Sequence, residues 1–136
     1  MENVKKILDE VLFGTLGTTD ENSQPKLAPL HFVSDGENIY WFSAEKANHS
    51  RNIERGGEAT FAVFTDDRLP NLKCVVVENF AKIGDEIARD TAIELFAKKY
   101  GAFPEPFANY EIYVLPLGEI DEARTSGEKY YLTRGL

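Results

Sequence analysis

Apolar residues recur at helical spacing in two stretches of the chain. Within positions 1–12 they return every three or four residues between charged side chains, which predicts a short amphipathic helix. Positions 85–100 repeat the pattern over more turns, with Asp85 as a candidate N-cap and Gly101 as a candidate helix end. A polar stretch at 45–55 stops at a pair of glycines and predicts a third, brief helix.

Between these helices, apolar runs and alternating apolar and polar positions predict strands. They cover 13–19, 27–34, 38–43, 59–65, 72–83, 110–115, 119–123 and 129–132. Asp35-Gly36 between two apolar runs predicts a hairpin, and turn-forming residues fill 20–25 and 66–71. Many short strands with few helices favour a closed or nearly closed antiparallel β-barrel with flanking helices, because closure removes exposed edges.

Composition and charge narrow the class of protein. The 136 residues, 43% of them hydrophobic, suit one folded domain spanning 1–136. A net charge of −8 disfavours binding to nucleic acid or to an anionic membrane surface. Positions 1–12 mix charged and apolar residues, unlike a signal peptide or a membrane span. The single cysteine, Cys74, lies among valines and is predicted to be buried and inert, which fits a reducing cytoplasm.

The sequence lacks the residues that several common kinds of site require. Two histidines and one cysteine, without a dense carboxylate cluster, give no expected metal site. The chain has no Gly-x-Ser-x-Gly elbow, no Walker-type phosphate loop and no Gly-x-Gly-x-x-Gly turn. Nucleophilic hydrolysis and the common nucleotide-binding folds are therefore disfavoured.

One basic, hydroxyl-rich patch stands out in this acidic chain, where a predicted strand leads into the helix at 45–55. It comprises Ser43, Lys46, His49, Ser50, Arg51, Asn52 and Arg55. Hydroxyls and a guanidinium beside free helix amides suit a phosphate group. The alternative is a solvated helix face on which Glu45, Glu54 and Glu58 pair with the cations. Residue spacing alone leaves both interpretations open.

At these residues the sequence resembles the pyridoxamine 5′-phosphate oxidase-like, FMN-binding split-barrel family, in its general-stress-protein-like uncharacterised branch. The resemblance follows the order and spacing of short motifs over about the first half of the chain. The motifs are Gly14-Thr15-Leu16-Gly17-Thr18, Gln24-Pro25, Ala28-Pro29-Leu30-His31-Phe32, Asp35-Gly36, Ile39-Tyr40-Trp41-Phe42-Ser43, His49-Ser50-Arg51-Asn52-Ile53 and Ala59-Thr60-Phe61-Ala62-Val63-Phe64.

The resemblance implies an antiparallel split β-barrel that forms a homodimer, with FMN at the subunit interface, or in some branches a deazaflavin or haem. Carried over by position, the cofactor-binding residues are Lys26, Pro29, Leu30, His31, Ser43, His49, Ser50, Arg51 and Asn52. His49 stands where the family has a lysine, so phosphate affinity would depend on pH. Lys26 would replace an arginine that the oxidases carry early in the second strand, where Leu27 now falls.

Single residues within this set have competing interpretations. Strand alternation can turn His31 either towards the flavin or towards solvent. Pro29 and Leu30 would act through backbone and shape, as a flat wall for a flavin ring. Trp41, the only tryptophan, is expected in the core or at a dimer interface rather than stacked on a cofactor.

The resulting functional hypothesis is an FMN-binding, flavin-dependent oxidoreductase in which the flavin carries the redox chemistry. Neither a substrate nor a catalytic acid or base is assigned. The alternatives are a non-enzymatic flavin, deazaflavin or haem binding protein or sensor, and a cofactor-free dimeric scaffold.

Overall fold

The computed structural model describes residues 1–65, 70 and 72–135. The helices are α1 (Glu2–Glu10), α2 (Asn48–Arg55) and α3 (Glu86–Tyr100), with a 3₁₀ turn at Glu105–Asn109. The strands are β1 (Phe13–Thr19), β2 (Pro25–His31), β3 (Val33–Ser34), β4 (Asn38–Ser43), β5 (Glu58–Phe64), β6 (Cys74–Phe80), β7 (Lys82–Ile83), β8 (Glu111–Pro116), β9 (Glu119–Ile120) and β10 (Lys129–Thr133).

The described strands form two sheets that together make a split β-barrel. The larger sheet has the order β2-β1-β5-β6-β10-β9, and the smaller has the order β3-β4-β8-β7. Neighbouring strands are antiparallel except β10 and β6, which run parallel in the register Lys129 to Cys74. The predicted mainly β, antiparallel split barrel is confirmed, with this one parallel pair added.

The main core lies between the two sheets and is closed at one side by α1. Trp41 is fully buried there, and its ring stacks on Phe61 at 5.9 Å and on Tyr113 at 6.0 Å between centroids. This confirms the core position expected for Trp41. The buried face of α1 consists of Val4, Ile7 and Leu8, and each such side chain contributes about 1.5–3 kcal/mol on burial.

A second cluster lies on the other side of the smaller sheet, under α3. Phe42, Phe96 and Phe107 meet there, with ring centroids 5.5–5.9 Å apart. Helix α3 has the predicted ends, because the Asp85 side chain accepts a hydrogen bond from the Ala88 amide and Gly101 has a φ of 84°.

Two predicted long strands are each divided between the sheets. The run at 27–34 breaks at Phe32, whose side chain is buried and whose amide and carbonyl both bond to the Tyr100 hydroxyl instead of a neighbouring strand. The run at 72–83 breaks at Ala81, whose amide bonds to the Gly57 carbonyl at 2.7 Å. Each break carries the chain from one sheet to the other, which periodicity alone does not reveal.

The remaining local predictions divide between confirmation and correction. Helix α2 begins at Asn48, three residues later than predicted, after a turn that includes Glu45 and Lys46. Cys74 lies on a strand as expected but is only half-buried, because alternation turns Val75 and Val77 inwards in its place. Of the predicted turn at 66–71, positions 66–69 and 71 lie outside the described residues.

Candidate functional site

The β1–β2 hairpin presents its side chains to two different faces of the sheet. Lys26 pairs with Thr18, a buried residue on the side of α2. Pro29 and His31 alternate with it and therefore lie on the outer face of the sheet, where the His31 ring meets the Phe13 ring edge-on at 6.3 Å. The predicted binding residues of β2 thus do not share one surface.

Leu30 and His31 differ accordingly in burial. Leu30 is half-buried and packs against the main core, whereas His31 is exposed. His31 also contacts the ring of Tyr100 edge-on at 5.6 Å. The structure therefore decides the open question about His31 in favour of the outward orientation.

The turn that joins β1 to β2 is built around one carboxylate. Oδ1 of Asp20 accepts hydrogen bonds from the amides of Asn22 and Gln24, both at 2.9 Å. The Gln24 hydrogen bond is the largest of the effects that hold the pKa of Asp20 below its usual value. The turn predicted at 20–25 is confirmed, and it carries a negative charge towards Lys26, whose Nζ lies 3.9 Å from Oδ2 of Asp20.

Helix α2 turns one polar face towards this hairpin. Asn48, Arg51 and Arg55 follow the three- and four-residue spacing of a single helix face. Together with Lys26 they line a cavity of about 340 Å³ that also includes Asp20, Glu21 and Asn52. Three cations and two carboxylates leave the cavity with an excess of positive charge in an acidic protein.

Arg51 is the cation of this cavity that is free to bind a ligand. Its side chain is exposed and makes no hydrogen bond or ion pair with the part of the chain that the structure describes. Arg55, in contrast, donates from Nη1 to Oδ1 of Asn52 at 3.0 Å. A guanidinium without a partner beside two further cations is suited to a phosphate or carboxylate.

Ser50 and Asn52 point into the protein rather than into solvent. Ser50 is 1% exposed and Asn52 is 6% exposed. Nδ2 of Asn52 donates to Oγ1 of Thr18 at 3.0 Å, so this side chain ties α2 to β1. Both polar ends of Asn52 are engaged by the protein, which is the geometry of a tether.

Ser43 and His49 form a separate pair at the point where β4 leads into α2. Nε2 of His49 lies 2.8 Å from Oγ of Ser43, and Ser43 is buried. Burial lowers the pKa of His49 below its ordinary value, so the ring is neutral near pH 7. His49 is two positions from Arg51, on the opposite side of the helix, so the structure does not bring this pair to the cationic cavity.

A larger groove lies next to the cationic cavity and shares Lys26 with it. It has a volume of about 550 Å³ and is bordered by residues of β1, β2, β5 and β6, with Arg134 at its end. Leu27 is 76% exposed and Phe80 is 40% exposed along this groove. The groove thus offers apolar surface together with two cations, Lys26 and Arg134, and two carboxylates, Glu58 and Glu78.

Sequence reasoning included Arg55 in the basic patch but left it out of the predicted binding set, and it missed Asn48 altogether. The signal that could have found both was their spacing from Arg51, three positions before it and four after it. The contribution of Asp20 and Glu21 depends on the hairpin folding back onto α2, which is a tertiary contact.

The order of elements, the position of α2 after β4 and the hairpin beside it agree with one family of proteins. A family model described as pyridoxamine 5′-phosphate oxidase matches residues 1–121. The chain belongs to this family. The matched residues include strands β1 to β9, the helices α1, α2 and α3, and all of the residues predicted to bind a cofactor.

Solved structures agree with this family fold at low sequence identity. The haem storage protein HutZ from Vibrio cholerae is 17% identical, with a TM-score of 0.70 over 85% of this chain and 88% of the other. An FAD-binding protein from Mesorhizobium loti is 17% identical, with a TM-score of 0.66 over 84% and 86%. An F420 reductase is 21% identical, with a TM-score of 0.61 over 82% and 91%.

These likenesses establish the fold of this pyridoxamine 5′-phosphate oxidase family member, whereas the named ligands belong to the other proteins. No curated protein matches the chain by sequence. Among the described helices, none combines the length and the apolar character required to traverse a bilayer. The described residues also contain no group of three or more His, Cys, Asp or Glu placed to hold a metal ion.

Proposed function

We propose that this family member binds FMN and acts as a flavin-dependent oxidoreductase on a small-molecule substrate. The observation that carries the proposal is the cavity between α2 and the β1–β2 turn, where Lys26, Arg51 and Arg55 converge. A phosphate monoester is the anionic group of FMN, and clustered cations with amide donors are the residues that bind it. When bound, the flavin supplies the redox chemistry, and the protein supplies binding and orientation.

The charge balance of the cavity supports a dianion rather than a neutral ligand. Asp20 in the turn lies within ion-pair distance of Lys26, and Arg55 donates a hydrogen bond to the side chain of Asn52. Arg51 is left to make the charge-assisted hydrogen bonds to the phosphate. Asn48, exposed in the first turn of α2, can add an amide donor from the same face.

The adjoining groove supports the assignment of a ligand larger than phosphate. Lys26 borders both the cavity and the 550 Å³ groove, so one molecule can place an anionic group beside Arg51 and an aromatic ring along Leu27. A volume of several hundred cubic ångströms is typical of sites for cofactors and drug-sized ligands.

We also propose that the protein is a homodimer with the cofactor at the subunit interface. The outer face of the larger sheet leaves three large apolar side chains more than half exposed: Phe13, Leu27 and Phe64. Large apolar side chains left exposed on one sheet face are typical of a protein interaction surface. A second copy would cover it and would border the same groove.

Haem is the second candidate ligand, and His31 is the observation that favours it. His31 is an exposed imidazole on the outer face, flanked by the rings of Phe13 and Tyr100, and imidazole is a common axial ligand of haem iron. On this alternative the protein is a carrier or sensor rather than an enzyme. A deazaflavin would use the same cationic cavity as FMN.

The first experiment is a visible absorption spectrum of the freshly purified protein, repeated after incubation with FMN or haem and desalting. A retained flavin spectrum supports the proposal, and a retained haem spectrum that is lost in His31→Ala favours the alternative. If no chromophore is retained and neither ligand raises the melting temperature, the flavin and haem assignments are both wrong.

The role of the phosphate is then tested by comparing FMN with riboflavin, which lacks it. We expect Arg51→Ala to raise the Kd for FMN about 5- to 30-fold, which corresponds to about 1–2 kcal/mol for an exposed charge-assisted contact. The Kd for riboflavin should stay unchanged. Lys46→Ala is the matched control, because Lys46 is an exposed cation just before α2 that does not line the cavity. Equal effects of the two variants would contradict a specific contact from Arg51.

A further inference from the structure

A separate cavity, distinct from the one beside α2, lies between α1, β3 and α3, on the side of the smaller sheet that α3 covers. Its volume is about 280 Å³. Its lining includes the apolar side chains of Val33 and Leu95 and the charged side chains of Lys5, Asp9, Lys98 and Lys99. None of these residues belongs to the proposed FMN site.

The amine of Lys99 is held in this cavity by the backbone rather than by an acid. Its Nζ donates to the carbonyls of Leu8 and Phe32, each at 3.1 Å, and lies 3.9 Å from the centre of the Phe32 ring. No carboxylate lies within ion-pair distance of it among the residues that the structure describes. A neutral amine has two N–H bonds and one lone pair, so the two carbonyls satisfy its donors completely.

The charged groups around Lys99 come from both helices packed against it. Asp9 and Lys5 of α1 form an ion pair at 2.8 Å, and Lys98 precedes Lys99 on α3. Burial lowers the pKa of Lys99 to about 8, although Asp9 acts in the opposite direction. A larger fraction of this amine than of an ordinary lysine is therefore neutral and nucleophilic near physiological pH.

We propose that Lys99 is an acylation site for small anionic acyl donors of the acyl phosphate class. The lone pair of Nζ attacks the acyl carbon, and the bond between that carbon and the phosphate oxygen breaks. Phosphate leaves with the electron pair, and the amine proton passes to phosphate or to solvent. The product is an amide, and no group is oxidised or reduced. The net positive lining of the cavity attracts the anionic donor, and its apolar walls accommodate the acyl group.

Acylation would change how α1 is attached to the barrel. An amide nitrogen carries one N–H, so it can no longer donate to both Leu8 and Phe32. The carbonyl of Leu8 belongs to the last turn of α1, and Phe32 is the residue at which the chain crosses between the sheets. The modification therefore loosens a contact between α1 and that crossing.

The test exposes the full chain to acetyl phosphate near neutral pH and measures acetylation at individual lysines by peptide fragmentation. Lys98 is the internal reference, because it is the neighbouring residue of α3 and is exposed. We expect Lys99 to react on the order of tenfold faster, since its lowered pKa enlarges the neutral fraction of its own amine, which is partly offset by the lower nucleophilicity of a weaker base. Its rate should level off above about pH 8. The preference should vanish in guanidinium chloride.

Two results would overturn the proposal. One is a native Lys99 that reacts no faster than Lys98, and the other is a preference that persists in the unfolded chain. The recognition of the anion is tested separately with Lys5→Gln, using a neutral N-hydroxysuccinimide ester as the comparison reagent. Slower acetylation by acetyl phosphate alone supports anion attraction, whereas equal slowing with both reagents contradicts it.

Discussion

Asn52 offers the sharpest test of how α2 is attached to the barrel. In Asn52→Ala, the hydroxyl of Thr18, which is 6% exposed, loses its 3.0 Å hydrogen bond from Asn52 Nδ2. Leaving a buried polar group without a partner costs about 1–3 kcal/mol. Arg55 also loses an acceptor, but it is exposed and can bond to water. The higher helix propensity of alanine offsets up to about 0.7 kcal/mol of this loss of stability.

The expected net destabilisation is about 1–2 kcal/mol, or roughly 3–10 °C in melting temperature for a domain of this size. Urea unfolding monitored by the fluorescence of Trp41, the only tryptophan and a fully buried one, measures it directly at a fixed protein concentration. Thr18→Val removes the partner hydroxyl while keeping the shape of the side chain. In the double variant, we expect a coupling energy of about 1 kcal/mol.

The reasoning is refuted if Asn52→Ala changes the free energy of unfolding by less than about 0.5 kcal/mol, the range of an ordinary surface substitution. Additive effects of the two substitutions would also refute it. In either case Asn52 would not be a tether between α2 and β1.

Four further predictions concern His49, Gly14 and Asp85. The pKa of His49 is lower in the folded protein than in the unfolded chain, so the unfolded state binds more protons as the pH falls below about 6.5, and the stability of the folded protein decreases. In His49→Gln this decrease should be missing from the dependence of the melting temperature on pH. An unchanged dependence would contradict the burial of the ring. His49→Lys should leave FMN affinity unchanged, because His49 lies on the other side of α2 from the cationic cavity; tighter binding, most clearly above pH 7, would instead place His49 at the phosphate site as the lysine position of the family implies. Gly14→Ala should destabilise the protein by about 1–3 kcal/mol in urea unfolding, because a Cβ there would meet the Phe61 ring; a neutral result would mean that this ring can move aside. Asp85→Ala should cost about 1 kcal/mol by loss of the N-cap, whereas Asp85→Asn, which retains the acceptor, should cost little.

The FMN assignment and the Lys99 assignment stand on different parts of the molecule and can fail separately. A protein that retains no flavin can still acetylate at Lys99, because that amine lies on the far side of the smaller sheet. A protein that binds FMN through Arg51 can equally show no preference at Lys99.

Local patterns in the sequence predicted most of the secondary structure. The N-cap at Asp85, the left-handed Gly101 and the turn-forming carboxylate of Asp20 act within a few residues of their own positions, so residue type alone predicts them. The spacing of Asn48, Arg51 and Arg55 was also present in the sequence, although it becomes informative only once α2 is known to be a helix.

Tertiary structure decided which faces these residues occupy and which of them meet. Phe32 divides a continuous apolar run because the Tyr100 hydroxyl, 68 positions away, takes both of its backbone groups. Asn52 is withdrawn from the surface because Thr18 lies beneath it, 34 positions away. Pairings at such separations depend on how the sheets close around the core, and a local pattern carries no information about them. The residue types that suit a phosphate were therefore visible in the sequence, whereas the arrangement that leaves Arg51 free to bind one is a property of the folded chain.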